Sequence, residues 1–128
     1  MTIAELCLLA AVVLWLATIG LAKGIGWRMY NNARPRAGGL YESGWKARAL
    51  GAHQNGLEAL PFFTAAVLLS EFRTVPQGLV DGLALAFILA RLIYVAAYIG
   101  DKPLARSLIW SAGLLINVAL FLTPFMKR

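Results

Sequence analysis

Charged residues are scarce in this sequence. Only 14% of its 128 residues are Asp, Glu, Lys or Arg, whereas 60% are hydrophobic. An average soluble domain has roughly 25% charged residues, and a soluble chain this short buries too little of its surface to hide so many apolar side chains. The composition therefore excludes an ordinary soluble domain and indicates an integral membrane protein.

Residues that ligate metals or form disulfides are equally scarce. The single cysteine, Cys7, lies in an apolar run and can neither close an intrachain disulfide nor build a metal site. The single histidine, His53, has no second His or Cys near it, so we expect it to form a hydrogen bond at a helix interface. We predict no metal site.

Acidic residues are fewer than basic ones, 6 against 12, which gives a net charge of +6. That charge alone would suit a nucleic-acid partner. Here, however, the basic residues lie between apolar runs, as membrane topology requires. We therefore expect membrane lipid, and no nucleic acid, as a partner.

Four apolar segments are present, at about residues 3–22, 45–69, 78–99 and 104–125, and a bilayer crossing needs roughly 20 residues. Nothing basic precedes the first segment and Lys23 follows it, which favours a retained span over a cleaved signal peptide. The second has a polar first half and contains Pro61, which is predicted to kink it. Residues 1–128 are thus predicted to form one all-α domain, an integral membrane four-helix bundle.

Lysine and arginine are distributed unevenly between the two sides of this bundle. Loops 1 and 3 with their flanks carry eight, namely Lys23, Arg28, Arg34, Arg36, Lys46, Arg48, Lys102 and Arg106, and the other side carries three, namely Arg73, Lys127 and Arg128. The positive-inside rule therefore predicts that loops 1 and 3 are cytoplasmic and that both termini lie on the outer side.

Ionisable side chains inside the apolar segments are the strongest functional signal, because charges in a bilayer are costly and usually face a partner or a wet cavity. Helical rise places Asn55 about 15 Å, Glu58 about 20 Å and Arg91 about 12 Å from the same side. Arg91 and Glu58 are therefore expected to pair. Such a cluster either binds a ligand or only fixes helix contacts, and we favour the ligand site.

Helical spacing collects these side chains into two polar stripes on antiparallel neighbours. The stripes consist of Arg48, Asn55 and Glu58, and of Arg91, Tyr94 and Tyr98. They predict a hydrophilic pocket that is open toward one side. Among other residues, Asn117 is expected to link two helices, and Gly51, Gly56 and Gly82 are expected to permit close helix contact. From its position, Arg106 suits a headgroup contact and a site role equally.

Two stretches resemble a known family. Residues 52–63 (AHQNGLEALPFF) are similar to the second-helix signature of the MAPEG superfamily, the membrane-associated proteins in eicosanoid and glutathione metabolism. Residues 90–98 (ARLIYVAAY), followed by Arg106 and Ser107, resemble its third-helix and fourth-helix motifs. The similarity is specific over residues 45–107 and is greatest to the short prokaryotic members.

The resemblance implies a homotrimer in the cell inner membrane that binds glutathione between neighbouring subunits, open to the cytoplasm. Asn55 and Glu58 would hold polar groups of glutathione, and Arg91, Tyr94 and Tyr98 would complete the cradle from the adjacent subunit. Tyr98 would also belong to the catalytic site. The implied function is a glutathione-dependent transferase or peroxidase acting on lipophilic electrophiles.

The resemblance also implies that Arg106 lies near the glutathione thiol, which reacts as the thiolate, and lowers its pKa. Arg28 in loop 1 would be a second cationic contact. Some enzymes of the family carry an arginine one turn before the signature asparagine, where this chain has Gly51. Arg48 and Gln54 are the candidates to take its place.

Two other functions are compatible with the pattern. One is a non-catalytic MAPEG-like membrane protein whose polar network serves assembly only. The other is a small proton-coupled exporter, because such proteins also combine short helices with a buried carboxylate. The predicted pairing of Glu58 with Arg91 argues against the exporter, since a carboxylate held by a fixed cation does not readily exchange protons.

Overall fold

Four α-helices make up the described part of the chain. The structure, a computed structural model, describes residues 1–24, 31–35 and 43–126. Its helices are α1 (Ile3–Gly24), α2 (Gly44–Phe72), α3 (Gln77–Ile99) and α4 (Pro103–Met126), and these residues include no strand. The prediction of an all-α, four-helix fold is confirmed.

Three of these helices, α1, α3 and α4, are long and apolar enough to cross a membrane. Among the described residues α2 falls short, because its first half carries charged residues that include Lys46, Arg48 and Glu58. Large apolar side chains also cover the outside of the bundle, for example Leu9, Val13, Leu89, Ile93, Leu108 and Leu115. Exposed apolar surface of this extent is suited to lipid.

The helices α2 and α3 form the centre of the bundle, since each contacts the three others, while α1 and α4 flank them. Phe63 of α2 stacks on Phe87 of α3 with ring centroids 4.2 Å apart. Val67, Val80 and Leu120 are fully buried around this pair. The polar residues of α2 and α3 are therefore held on two helices that a shared apolar core fixes against each other.

The short turn between α3 and α4 positions the residues that follow it. Asp101 adopts a left-handed conformation with φ 57°, which aspartate tolerates better than most residues. The N–H of Lys102 then donates to the carbonyl of Ala97 at 2.9 Å, and Pro103 begins α4. This turn brings the end of α3, the start of α4 and the start of α2 to one end of the bundle.

Candidate functional site

Arg91 is the buried charge around which the polar residues of α2 and α3 meet. It is only 8% exposed and donates from Nη1 to Oδ1 of Asn55 at 2.8 Å. The Nδ2 of Asn55 in turn donates to Oε2 of Glu58 at 3.3 Å. The expected direct pairing of Arg91 with Glu58 is therefore wrong in the described structure, because Asn55 lies closer in depth to Arg91 and bridges the two charges.

Aromatic rings continue this cluster toward the end of the bundle. The guanidinium of Arg91 lies over the ring of Tyr94, 4.4 Å from its centroid, and Tyr94 meets Tyr98 edge-on with centroids 5.6 Å apart. The guanidinium of Arg106 lies over the ring of Tyr98 at 4.6 Å. Two cations, each attracted to a ring face, therefore flank an aromatic pair. These four side chains from α3 and α4 form one row, called here the Arg–Tyr row: Arg91, Tyr94, Tyr98 and Arg106.

Gly51 allows this row to approach α2. A Cβ atom at position 51 would lie 2.8 Å from Cζ of Tyr98 and closer still to its hydroxyl oxygen. No real Cβ makes such a contact, so any side chain at position 51 would have to displace the tyrosine. The expectation that Gly51 permits a close approach is confirmed, and Tyr98 fills the space next to it. The same expectation for Gly82 is wrong, because nothing lies within 4 Å of a Cβ added there.

Two of the other predicted ligand residues make their contacts outside the cluster. Arg48 donates from Nε to the carbonyl of Ile99 at 2.9 Å and comes within 3.8 Å of Asp101, so it ties α2 to the end of α3. Gln54 is exposed and borders a separate cleft near α1. Arg28 lies outside the described residues.

His53 and Asn117 were both predicted to form contacts between helices, and the structure agrees for only one of them. His53 stacks on Trp15 of α1 with centroids 5.1 Å apart, and its Nδ1 lies 3.0 Å from the Trp15 carbonyl oxygen. The predicted helix-interface histidine is confirmed. Asn117 of α4 is buried, but its Oδ1 has no hydrogen-bond partner among the described residues. Its predicted link to another helix is not formed there.

The structure thus brings together six of the predicted site residues: Asn55, Glu58, Arg91, Tyr94, Tyr98 and Arg106. They supply two guanidinium groups, a carboxylate, an amide and two phenol hydroxyls. Glu58 is exposed and Arg106 is half-buried, so the cluster remains accessible at its edge. Such a set of groups is suited to a small ligand that carries both carboxylates and an ammonium group.

Sequence patterns missed the contribution of α4 beyond Arg106. Trp110, Gly113 and Asn117 line a cavity with Arg91 and Glu58. The signal was present, because Arg106, Trp110, Gly113 and Asn117 follow one another at i, i+4, i+7 and i+11, which places them on one helix face.

Comparison with known proteins identifies the family. No curated protein and no solved structure matches the chain. The model of the MAPEG family, however, matches residues 1–126 and so covers all four helices and every residue of the cluster. The chain is a membrane protein that belongs to the MAPEG family.

Proposed function

We propose that this chain is a membrane-bound enzyme that uses glutathione to conjugate or reduce lipophilic electrophiles. The observation that carries the proposal is the position of the Arg106 guanidinium over the ring of Tyr98. A ring face attracts a cation through its π-system, so the N–H groups of the guanidinium need no hydrogen-bond acceptor in the protein and remain available to a ligand. Arg106 is thereby oriented without its hydrogen-bonding capacity being used up.

The chemistry of the cluster fits glutathione. Glutathione has two carboxylates, an ammonium group and two amides, so it needs cationic, anionic and amide partners. Arg91 and Arg106 would bind the carboxylates or the thiolate, and Glu58 would accept the ammonium group. Asn55 already donates to one oxygen of Glu58, which orients that carboxylate for a ligand.

The chain's own catalytic contribution would come from Arg106 and Tyr98. When bound, glutathione supplies a thiolate that acts as nucleophile or two-electron reductant. The positive charge of Arg106 favours the thiolate over the thiol, and arginine keeps this charge because it does not deprotonate in proteins. The hydroxyl of Tyr98 can donate a hydrogen bond at the same place.

We further propose that the functional unit is a homotrimer. Glu58 and Leu57 of α2 are exposed, Leu57 by 52%, so the described residues of a single chain do not cover this wall of the cluster. A neighbouring copy would cover it, and the cluster would then lie between two subunits. Native mass spectrometry in detergent should give three chains, and a monomer would contradict the proposal.

The proposed setting is the cell inner membrane, in one domain of four spans whose second helix, α2, packs against the three others. The cluster lies at the end of the bundle where α2 begins and α3 ends, the side that the lysine and arginine distribution predicts to be cytoplasmic. Reporter fusions at Gly38 and Arg128, both outside the described residues, should report opposite sides, with Gly38 cytoplasmic. A cytoplasmic Arg128 would contradict this orientation.

A non-catalytic role in assembly is the second candidate. It is supported by the two hydrogen bonds that run from Arg91 to Asn55 and from Asn55 to Glu58. They already give the buried guanidinium of Arg91 a partner without a ligand. The two candidates differ in what the purified protein does with a thiol.

The test is conjugation of a chloronitrobenzene by the purified protein, with glutathione or with cysteine as thiol donor, alongside calorimetric titration with glutathione. The enzyme should bind glutathione and consume the electrophile with glutathione in preference to cysteine. Glu58→Gln should weaken glutathione binding, because the ammonium group loses its anionic partner. Absence of binding and turnover in a folded protein would favour the assembly role.

A further inference from the structure

Arg48 of α2 contacts the point at which α3 ends and the turn to α4 begins. Its Nε donates to the carbonyl oxygen of Ile99 at 2.9 Å, and its Nη1 lies 3.8 Å from Oδ2 of Asp101. The last carbonyls of a helix lack a partner within that helix, and the helix dipole favours a cation beside them. The side chain of Arg48 therefore completes the end of α3 from a different helix.

Asp101 occupies a position at which glycine is the more usual residue. Its φ of 57° lies in the left-handed region, and a residue that follows a helix in this conformation is most often glycine, which has no Cβ to crowd the backbone. Aspartate adopts the conformation at some steric cost. In return, the carboxylate at this position gives Arg48 an ionic partner, which a glycine could not provide.

These two contacts lie directly beside the Arg–Tyr row. Tyr98 precedes Ile99 on α3 and approaches Gly51, which lies on the same face of α2 as Arg48, one turn later. Arg106 lies in the first turn of α4, after the turn that Arg48 contacts, and its guanidinium lies over Tyr98. A displacement at the end of α3 or in this turn would therefore move Arg106 relative to Tyr98.

We propose that Arg48 and Asp101 are positioning residues, which hold the guanidinium of Arg106 over the ring of Tyr98. As a statement about the reaction, this inference rests on the proposed function, in which Arg106 stabilises the thiolate. The two residues contribute unequally. The side chain of Arg48 is 31% exposed and that of Asp101 is 72% exposed, so water and salt screen their ion pair. The hydrogen bond from Arg48 to Ile99 therefore makes the larger contribution.

The position of Arg106 relative to Tyr98 can be followed by fluorine NMR. Fluorotyrosine is introduced at position 98 of the full-length protein in lipid nanodiscs, without glutathione, and its fluorine chemical shift is recorded. Arg106→Ala gives the reference shift of a ring that has lost its cation. Arg48→Gln should move the signal most of the way to this reference, and Asp101→Gly should move it in the same direction by a smaller amount.

The reaction provides a second measurement. In Arg48→Gln we expect kcat to fall about 10-fold, because a displacement of about 1 Å at a reacting group costs up to about 100-fold in rate. In Asp101→Gly, which loses only an exposed ion pair, we expect about 2-fold. The thiolate absorbance of bound glutathione should fall in parallel, and KM for glutathione should change little, since Arg106 acts mainly on the thiolate.

Asp101→Gly also separates positioning from stability. Glycine relieves the left-handed conformation, so the unfolding temperature of this variant should not fall. A lower kcat and a shifted fluorine signal without a lower unfolding temperature are not expected from a residue with a merely structural role. Arg48→Lys should recover only part of the kcat, because an ammonium does not reproduce the geometry of a guanidinium.

The matched controls are Arg73→Gln and Thr74→Gly, both in the turn between α2 and α3 at the other end of the bundle. Arg73 is an exposed arginine, and Thr74 also has a positive φ, of 51°. The two variants remove the same charge and relieve the same backbone conformation far from Tyr98. The fluorine signal and kcat should therefore stay as in the wild type.

An unchanged fluorine signal in both Arg48→Gln and Asp101→Gly would overturn the proposal. Equal shifts in the two controls would also overturn it, because the effect would then not depend on the end of α3. Should Arg48→Gln fail to fold, Arg48→Lys and Asp101→Gly decide by the same criterion. A wild-type protein that conjugates nothing would contradict the proposed function alone, because the fluorine measurement needs no ligand.

Discussion

The two ends of the helix bundle carry similar polar groups and use them differently. At the end where α1 begins, called here the Thr2 end, Thr2 donates to Glu71 at 2.9 Å and the N–H of Ala4 donates to Asp81 at 2.9 Å. Gln77 donates to the same two carboxylates at 3.0 and 2.9 Å. Three of these four hydrogen bonds join different elements of the chain and the fourth, from Gln77 to Asp81, lies within α3, which is the pattern of a structural network.

At the opposite end, called here the Arg106 end, Arg48 likewise ties α2 to α3, but two other cations rest on aromatic rings. Arg91 and Arg106 lie over Tyr94 and Tyr98, and the carboxylate of Glu58 is exposed. Ring faces hold cations in place without consuming their N–H donors. A bundle end closed by matched donors and acceptors has few groups left to bind a ligand. An end held by cation–ring contacts keeps hydrogen-bond donors that can bind one.

The largest expected effect concerns Arg106. Arg106→Ala should reduce turnover about 100-fold, as does removal of one group that stabilises developing charge, and should change glutathione affinity little. Arg106→Lys should recover only part of the rate, because an ammonium on a flexible stem does not reproduce the planar guanidinium. Ultraviolet thiolate absorbance of bound glutathione should fall in parallel with turnover.

Arg73→Ala provides the matched control for that prediction. Arg73 is an exposed arginine that follows α2 at the Thr2 end, so its loss removes the same charge far from the cluster. It should leave turnover unchanged. Wild-type turnover and thiolate signal in Arg106→Ala would show that Arg106 is only a headgroup contact.

The next effect concerns the closeness of α2 and α3 at the Arg106 end. Gly51→Ala places a methyl group against the ring of Tyr98, so either the ring moves or the helices separate. Gly82→Ala is the control, because nothing lies within 4 Å of its added Cβ and alanine favours the helix. Thermal unfolding should place Gly51→Ala about 1–3 kcal/mol below Gly82→Ala, with glutathione affinity reduced only in the former. Equal stability would show that Tyr98 does not depend on this approach.

Much of this arrangement was predictable from spacing alone. Four helices followed from the four apolar segments, although only three of the helices are apolar enough to cross a membrane, and the stripe of Asn55 and Glu58 followed from helical periodicity. The contact of Arg91 with Asn55 was not predicted, although the estimated depths put Asn55 nearer to Arg91 than Glu58, because the attraction of opposite charges favoured Glu58. The contact of Tyr98 with Gly51 and the cavity at Asn117 depend on how two helices are placed against each other, and a single-helix pattern does not specify that.

A smaller effect is expected for the bridge that joins α2 to α3. Arg91→Leu and Asn55→Leu should each destabilise the detergent-solubilised protein, and the double variant should cost about 1.5 kcal/mol less than their sum. The matched cycle with Glu58→Gln in place of Asn55→Leu should give a smaller coupling, because Asn55 separates Glu58 from Arg91. A larger coupling energy for Arg91 with Glu58 than for Arg91 with Asn55 would indicate a direct ion pair between Arg91 and Glu58.

The smallest effect is expected at Thr2, whose interactions are wholly structural. Its hydroxyl accepts from the N–H of Glu5 at 3.1 Å, and Oε2 of Glu5 accepts from the N–H of Thr2 at 2.7 Å. This reciprocal pair is a capping box at the start of α1. Thr2→Val removes the cap and the bond to Glu71, so thermal unfolding should show a loss of about 1 kcal/mol. Thr2→Ser keeps the hydroxyl and should retain most of that stability.

Turnover at temperatures below unfolding should be unchanged in both variants, because the Thr2 end does not contribute to the ligand site. A fall in turnover without a fall in stability would mean that the two ends are coupled, and would remove the distinction between a structural end and a binding end.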